Sequence, residues 1–291
     1  MVNLIDKITN IGKFYSKPVT HDVSEREEFK IVRDALVKYG MSVSFFDKNL
    51  PNLYIQPEIA DGSIVEGSFN ARTNSISMPK DKYQVVHELF HMASKDPESK
   101  NELMGVLQKD SKGNVTGIGF NEGIADYFTH LSCPDYEPSY AFEERIISII
   151  SEVYGLKPFN NNFTQNPTGF YNSFGSDILF VTEISKRLDS YNKSVFGLFD
   201  LISSNNFNYL IRDGNRLVNE IFLSVISTCS KLCELLELKG IDSSRYMVEM
   251  QQLFESKNNN MEQLRSLVES SDYKNIDNLF NKIKESNDFS L

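Results

Sequence analysis

Cysteine and histidine are scarce in this chain, which has three cysteines and four histidines in 291 residues. An odd number of cysteines argues against a disulfide framework. Cys229 and Cys233 lie four residues apart in a helical pattern, but no second cysteine pair or nearby histidine stands ready to complete a metal site with them. We therefore interpret both as small buried hydrophobic side chains in a reducing compartment.

Basic residues and long apolar runs are also few. Lys and Arg total 30 against 40 Asp and Glu, a net charge of −10, and no basic stripe, glycine-rich phosphate loop or zinc-finger spacing occurs. Nucleic acid is therefore not an expected partner. No stretch approaches the roughly 18 apolar residues of a transmembrane helix, and the N-terminus lacks the apolar core of a signal peptide. We expect a cytoplasmic protein with no membrane partner, and the sequence leaves the oligomeric state open.

Histidine, although rare, is concentrated in one motif. His87, Glu88 and His91 form an HExxH pentad within residues 81–94, which have the pattern of a helix. Residues four apart lie on one face of a helix, so the two imidazoles can share one cation while Glu88 turns its carboxylate toward a water on that cation. The alternative is a helix that carries two surface histidines.

A second pair of candidate residues follows in the sequence NEGIAD, residues 121–126. Glu122 and Asp126 are again four apart, and catalytic zinc normally takes three protein ligands. Glu122 is the candidate third ligand, and Asp126 is the candidate acceptor for the free N–H of a ligating imidazole. The alternative is an amphipathic helix with two solvated acids.

These two motifs resemble those of the gluzincin metallopeptidases, the thermolysin-like clan with HExxH and a downstream glutamate ligand. The resemblance covers about residues 65–130 and is to a compact type found in uncharacterised bacterial proteins rather than to thermolysin itself. Residues 67–79 alternate like a strand and end in proline. In that clan an edge strand before the HExxH helix holds extended substrate by main-chain pairing.

The resemblance implies a zinc-dependent metallopeptidase with one Zn²⁺ per chain and a peptide or protein substrate. Glu88 would be the general base toward a zinc-bound water, with His87, His91 and Glu122 as ligands and Asp126 in the second layer. Two alternatives stay open. One is a catalytically inactive gluzincin-like module that binds an extended peptide segment, against which the intact Glu88 argues. The other is a helical interaction protein in which the pentad is accidental.

The sequence leaves open which residue would stabilise the oxyanion of the reaction. Thermolysin-like enzymes use a downstream histidine and related aminopeptidases use a tyrosine, but the single histidine after Glu122 is His130, whose position does not correspond. A tyrosine is therefore the better candidate. We consider Tyr140 and Tyr171, with Tyr154 behind them, and Tyr171 lies in a Gly-, Asn- and Phe-rich stretch that suits a pocket wall.

The expected fold is α+β, a small mostly antiparallel sheet packed on the HExxH helix and followed by a mainly helical C-terminal part. We expect residues 1–140 to form the zinc metallopeptidase unit and residues 141–291 to form a mainly helical domain flanking the active-site cleft. The predicted core of the HExxH helix consists of Val85, Val86, Leu89 and Phe90.

Local patterns predict the individual elements. A helix at 24–39 starts with Ser24 as its N-cap. Strands at 41–46, 53–56 and 75–78 are expected to share one sheet with a hairpin made of 103–108 and 115–120. Residues 158–176 have the composition of a long loop. The remaining helices are predicted at 143–154, 177–189, 194–203, 215–238, 243–255, 261–270 and 276–285.

Overall fold

The structure, a computed structural model, describes residues 26–56, 68–77, 82–99, 103–164, 169–203, 207–249 and 251–252. The proposed cap Ser24, both ends of the predicted strand 67–79 and the predicted helices 261–270 and 276–285 lie outside the described residues. The described elements are α1 (Glu27–Lys38), α2 (Ser44–Asn49), β1 (Tyr54–Gln56), β2 (Ser68–Asn70), β3 (Ser75–Ser77), α3 (Lys82–Ala93), β4 (Gln108–Lys109), β5 (Val115–Thr116), α4 (Ile118–Ser132), α5 (Ala141–Tyr154), α6 (Lys157–Asn162), α7 (Ile178–Ser203) and α8 (Phe207–Leu238). Residues 244–249 are also helical, inside the helix predicted at 243–255.

The described chain is mainly helical with two small sheets, which agrees with the α+β class. In the first sheet β3 is central, parallel to β1 and antiparallel to β2. In the second sheet β4 pairs antiparallel with β5. The expectation of a single shared sheet was wrong, because the β4–β5 hairpin does not pair with the first three strands. None of the described helices is both long and apolar enough to cross a membrane.

Helix α3 carries the HExxH pentad and is buried over most of its length. The four predicted core residues Val85, Val86, Leu89 and Phe90 are at most 3% exposed, which confirms that prediction. The Phe90 ring lies 5.9 Å from the ring of Phe128, a residue of α4. Aromatic contacts of this kind add to the apolar burial that holds two helices together. The pentad is therefore anchored on a rigid and well-packed element.

A carboxylate from a distant helix sets the start of α4. Gly117 adopts a left-handed φ of 85°, and its N–H donates to Oδ2 of Asp189 at 2.7 Å. The Gly119 N–H donates to Oδ1 of the same side chain at 3.0 Å. These bonds satisfy amides that a helix N-terminus leaves without partners. The predicted strand 115–120 was wrong beyond Thr116, because the chain becomes helical there. The predicted strand 103–108 pairs with another strand only at its last residue.

Helices α4 and α5 approach each other at a glycine. A Cβ atom placed on Gly123 would lie 2.8 Å from both the carbonyl carbon and the oxygen of Glu143, and 2.9 Å from its Cβ. Real side chains do not fit at such a distance, so the two backbones touch without a side chain between them. Gly123 directly follows the candidate ligand Glu122. The close approach therefore fixes the position of the α4 backbone next to that residue.

Two further sequence predictions were wrong. Residues 41–46 do not form a strand. Helix α2 begins at Ser44 instead and directs Asn49 inward, where its side-chain amide donates to the carbonyls of Met92 and Lys95 at 3.1 and 2.7 Å. The predicted loop 158–176 contains α6 and the 3-10 helix Tyr171–Asp177, because its aromatic residues are buried. They are Phe159, Phe163, Phe170, Tyr171 and Phe174.

Helices α7 and α8 are longer than predicted. The two helices expected at 177–189 and 194–203 form the single helix α7, because the polar stretch between them includes Tyr191 and Asn192, which are buried. Helix α8 begins at Phe207 rather than at 215. The two long helices pack side by side, and α7 also contacts α4 through Leu188, next to Gly119. This pair thereby supports the helix that carries Glu122.

Candidate metal centre

Two histidines and one glutamate converge where α3 meets α4. Nε2 of His91 lies 3.0 Å from Nε2 of His87, and Oε2 of Glu122 lies 3.3 Å from the His87 nitrogen and 3.1 Å from the His91 nitrogen. These three atoms form a nearly equilateral triangle. His87 and His91 are 5% and 2% exposed, so the alternative of two surface histidines was wrong.

The donor set fits a divalent transition metal. Zn–N and Zn–O bonds of 2.0–2.2 Å place the ligand atoms of a tetrahedral site about 3.3 Å from one another. The observed separations of 3.0, 3.1 and 3.3 Å are close to that edge length. Two imidazole nitrogens and one carboxylate oxygen suit zinc and tolerate several neighbouring metals. Within the described part of the chain, no second group of three such ligands comes together in this way.

Asp126 supports His87 from behind. Its Oδ1 lies 2.6 Å from Nδ1 of His87, and the aspartate is fully buried, so the alternative of a solvated acid was wrong. An acceptor at Nδ1 keeps the proton there and leaves Nε2 with a free lone pair directed at the triangle. The structure thus brings together all four residues that the sequence singled out around the cation. They are His87, His91, Glu122 and Asp126.

Asn121 contacts Nδ1 of His91 and was not singled out from the sequence. Its side-chain amide lies 3.0 Å from Nδ1 of His91, and its Oδ1 accepts the Val106 N–H at 3.3 Å. When Nε2 of His91 binds a cation, Nδ1 carries the proton, so the amide must rotate by 180° to accept it with its oxygen, and that rotation gives up the bond from the Val106 N–H. The signal in the sequence that could have identified Asn121 was a side-chain amide directly before the candidate ligand Glu122.

Glu88 lies beside the triangle and is held by a strand. Its Oε2 accepts the backbone N–H of Phe69 at 2.6 Å, and the glutamate is 7% exposed. Phe69 is the middle residue of the edge strand β2, opposite Ile76 of β3. The sequence carried no signal for this bond, since a backbone amide has no residue type. One carboxylate oxygen is thereby held by the backbone of β2.

The charges around the triangle favour a cation at its centre. Burial lowers the pKa of His87, but the charge and hydrogen bond of Asp126, the hydrogen bond of Glu122 and the charge of Glu88 outweigh burial and raise that pKa well above its usual value. Burial raises the pKa of Glu122, but His91 and His87 outweigh it and hold that pKa far below its usual range. Burial also raises the pKa of Glu88. Positive charge is therefore stabilised between these side chains.

Of the three candidate tyrosines, one lies against the triangle. The ring of Tyr140 stacks on the ring of His87, with centroids 5.8 Å apart and planes at 19°. Burial and the carboxylates of Glu122 and Glu88 raise the pKa of Tyr140 well above its usual value, so its hydroxyl keeps its proton.

The other candidates are engaged elsewhere. The Tyr171 hydroxyl pairs with the Ser185 hydroxyl at 2.8 Å. The Tyr154 hydroxyl donates to Asp177 at 2.8 Å. His130 lies near the exposed end of α4, where its Nδ1 is 3.3 Å from Glu144. The hydroxyls of Tyr171 and Tyr154 are thus bonded away from the triangle, and Tyr140 is the candidate whose ring stacks on one of its residues.

No family model, no curated protein and no solved structure matches this chain significantly.

Proposed function

We propose that this chain is a zinc-dependent metallopeptidase of the gluzincin type. The observation that carries the proposal is the triangle of Nε2 of His87, Nε2 of His91 and Oε2 of Glu122, with sides of 3.0 to 3.3 Å. Glu88 stands next to it with its carboxylate oriented by a backbone amide. A purely structural metal site has no use for that fourth group, whereas hydrolysis needs a base within reach of a polarised water.

The residues divide the chemistry between them. A zinc ion held by His87, His91 and Glu122 would polarise both a water molecule and the scissile carbonyl. Glu88 accepts a proton from that water as the water oxygen forms a bond with the carbonyl carbon. Glu88 then gives the proton to the amide nitrogen as the C–N bond breaks, so the products are a carboxylic acid and an amine.

Tyr140 is the residue that we assign to the oxyanion. Its ring is parallel to that of His87, and its hydroxyl stays protonated beside Glu122 and Glu88. A neutral O–H that points at the reacting carbonyl oxygen stabilises the negative charge that develops there.

The substrate would be a peptide in extended form. Strand β2 is an edge strand, because the order of the first sheet is β1-β3-β2. We infer that this sheet lies on α3, since Phe69 of β2 binds Glu88 of α3. An extended peptide that runs along β2 would pass Glu88 and the candidate metal ligands. Because Glu88 holds the Phe69 N–H, main-chain pairing of the peptide with that amide would displace this bond.

The decisive experiment compares the wild-type protein with Glu88→Gln. Metal content is measured on both proteins, and both are incubated with a mixed peptide library that is read by mass spectrometry. We expect one zinc per chain in both and a fall in hydrolysis of at least about 100-fold in the variant, the lower end of what general acid–base catalysis supplies. Glu98→Gln is the matched control, because Glu98 is an exposed acid that pairs with Lys48.

The outcomes separate the alternatives. Zinc in both proteins without cleavage by either would favour the inactive module that binds an extended segment. Absence of zinc from both, even after reconstitution, would refute the metal site and leave the helical interaction protein. Equal cleavage by wild type and Glu88→Gln would refute the role of Glu88 as the base.

A further inference from the structure

The loop between α4 and α5 surrounds the carboxylate behind His87. The Tyr136 hydroxyl donates to Oδ1 of Asp126 at 2.6 Å, the same oxygen that faces Nδ1 of His87 at 2.6 Å. The Tyr140 backbone N–H donates to Oδ2 at 2.5 Å. Asp126 thus receives three short hydrogen bonds in a position without solvent, and two of its three donors belong to this one loop.

The hydrogen bonds at Tyr136 all run in one direction. The N–H of Ser139 donates to the Tyr136 oxygen at 3.2 Å. The Ser139 hydroxyl oxygen is 3.4 Å from the Tyr136 oxygen, whereas the Asp126 oxygen is only 2.6 Å away, so the single hydroxyl proton belongs to the bond with Asp126. A bond to an ionised acceptor is the stronger of the two. Successive bonds with the same polarity strengthen one another where water is excluded.

We infer that Tyr136 is a positioning residue for the metal, acting through Asp126 on His87. The inference rests on the proposed zinc site. Tyr136 holds the Asp126 carboxylate where it accepts the His87 Nδ1–H, and this fixes both the ring orientation and the tautomer that leaves Nε2 free to bind a cation. Nothing in the HExxH or NEGIAD motifs includes this residue, which lies ten residues after Asp126.

Loss of the Tyr136 hydroxyl leaves Asp126 with two of its three donors and removes the second bond to Oδ1, the oxygen that faces His87, so the carboxylate is held less firmly. Partners in the outer layer of a metal site change metal affinity by about 10- to 100-fold when they are removed. Tyr136 is one residue further from the metal than Asp126. We therefore expect the loss of zinc affinity in Tyr136→Phe to be near the lower end of this range, about tenfold. The phenyl ring stays in place, so its contact with Tyr83 at 6.1 Å is retained.

The experiment measures zinc affinity by competition with a chromophoric chelator, with Zn²⁺ as the probe. The matched control is Tyr171→Phe, which removes one hydroxyl from a residue of similar burial, 8% against 5% exposed, whose partner is Ser185. Thermal unfolding of the metal-free proteins reports the structural cost of each variant. Tyr136→Phe loses the bond to Asp126 and the bond from the Ser139 N–H, whereas Tyr171→Phe loses only its bond with Ser185. A larger fall in melting temperature is therefore expected in Tyr136→Phe, and only Tyr136→Phe should lose zinc affinity.

The same measurement in an Asp126→Asn background tests the route of the effect. If Tyr136 acts through Asp126, the double variant Asp126→Asn with Tyr136→Phe binds zinc as Asp126→Asn alone does, since the energies of coupled residues do not add. An equal tenfold loss in both backgrounds would overturn the inference and make Tyr136 a general packing residue.

The outcomes distinguish this inference from the proposed function. Zinc binding by the wild type with unchanged affinity in Tyr136→Phe would overturn the role of Tyr136 and leave the metallopeptidase intact. Failure of the wild type to bind zinc would overturn both. A loss of affinity in Tyr171→Phe equal to that in Tyr136→Phe would also overturn it, because the effect would then follow from any lost buried hydroxyl.

Discussion

Replacing Gly123 by alanine tests how closely α4 and α5 must approach to keep Glu122 among the metal ligands. The added Cβ would lie 2.8 Å from the carbonyl carbon and oxygen of Glu143. These are backbone atoms of α5, which cannot rotate away as the end of a flexible side chain can. The helices must therefore separate locally, and the movement falls on the residue that follows the candidate ligand.

The expected change in the stability of Gly123→Ala follows from two opposing contributions. Alanine gains about 1 kcal/mol over glycine in a helix interior. Overpacking of a close contact costs about 1–3 kcal/mol, and contact with the backbone places Gly123→Ala near the upper value. The net loss of stability is then about 2 kcal/mol, which lowers the melting temperature by roughly 4–8 °C in a chain of this size.

Gly197→Ala is the matched control because the same change occurs inside α7 without a clash. A Cβ there would meet only two Leu217 methyl carbons, at 3.4 and 3.6 Å, which are ordinary contacts. Its expected effect is a gain of up to about 1 kcal/mol. The assay is thermal or urea unfolding of both metal-free variants, followed by zinc titration, where Gly123→Ala should bind zinc more weakly and Gly197→Ala should bind it as the wild type does. Equal stability of the two variants would refute the argument from close approach.

Two further predictions concern the candidate metal site. At Gly105, where φ is +57°, an added Cβ would overlap Oδ1 of Asn121 and lie 2.8 Å from Phe163, so Gly105→Ala should displace the amide that faces His91. We expect weaker zinc binding and a loss of about 1–3 kcal/mol, and unchanged zinc titration would contradict this reasoning. Zinc itself should stabilise the fold, by about 2.7 kcal/mol at a free concentration 100 times its Kd, a rise of roughly 5–11 °C in melting temperature. A chelator should reverse the shift, and His91→Ala should show none; a zinc-dependent rise of equal size in that variant would place the ion elsewhere.

The parts of the fold that were predicted correctly depend on local periodicity. Helix α3 was expected at 81–94 and occupies Lys82–Ala93, and its four core residues are buried as expected. The i, i+4 spacing alone placed His87 and His91 on one face of that helix. The errors are at positions where a distant residue decides. Asp189 of α7 starts α4 two residues after the short strand β5, and no pattern near residue 117 contains that information.

The choice among the candidate tyrosines also depended on distant contacts rather than on the local sequence. The sequence left Tyr140, Tyr171 and Tyr154 open, because each has the same side chain and none lies in a motif. The structure stacks Tyr140 on His87 and binds the hydroxyls of the other two to Ser185 and Asp177. The distinction depends on which surface each loop faces, and that follows from packing of whole helices rather than from the loop sequence.

The sequence by itself determined which side chains this protein has available: two imidazoles on one face of a helix with a carboxylate next to them, and a Glu–Asp pair on one face of another helix. It did so because helical geometry links sequence spacing to spatial spacing over one turn. Only the tertiary structure decided that the two faces meet with ligand atoms 3.0 to 3.3 Å apart. Tertiary structure also decided three contacts that the sequence did not predict. They join Asn121 to His91, Tyr136 to Asp126 and the Phe69 N–H to Glu88. Those contacts join residues from separate elements, whose distance in space is set by the burial of apolar side chains between the elements.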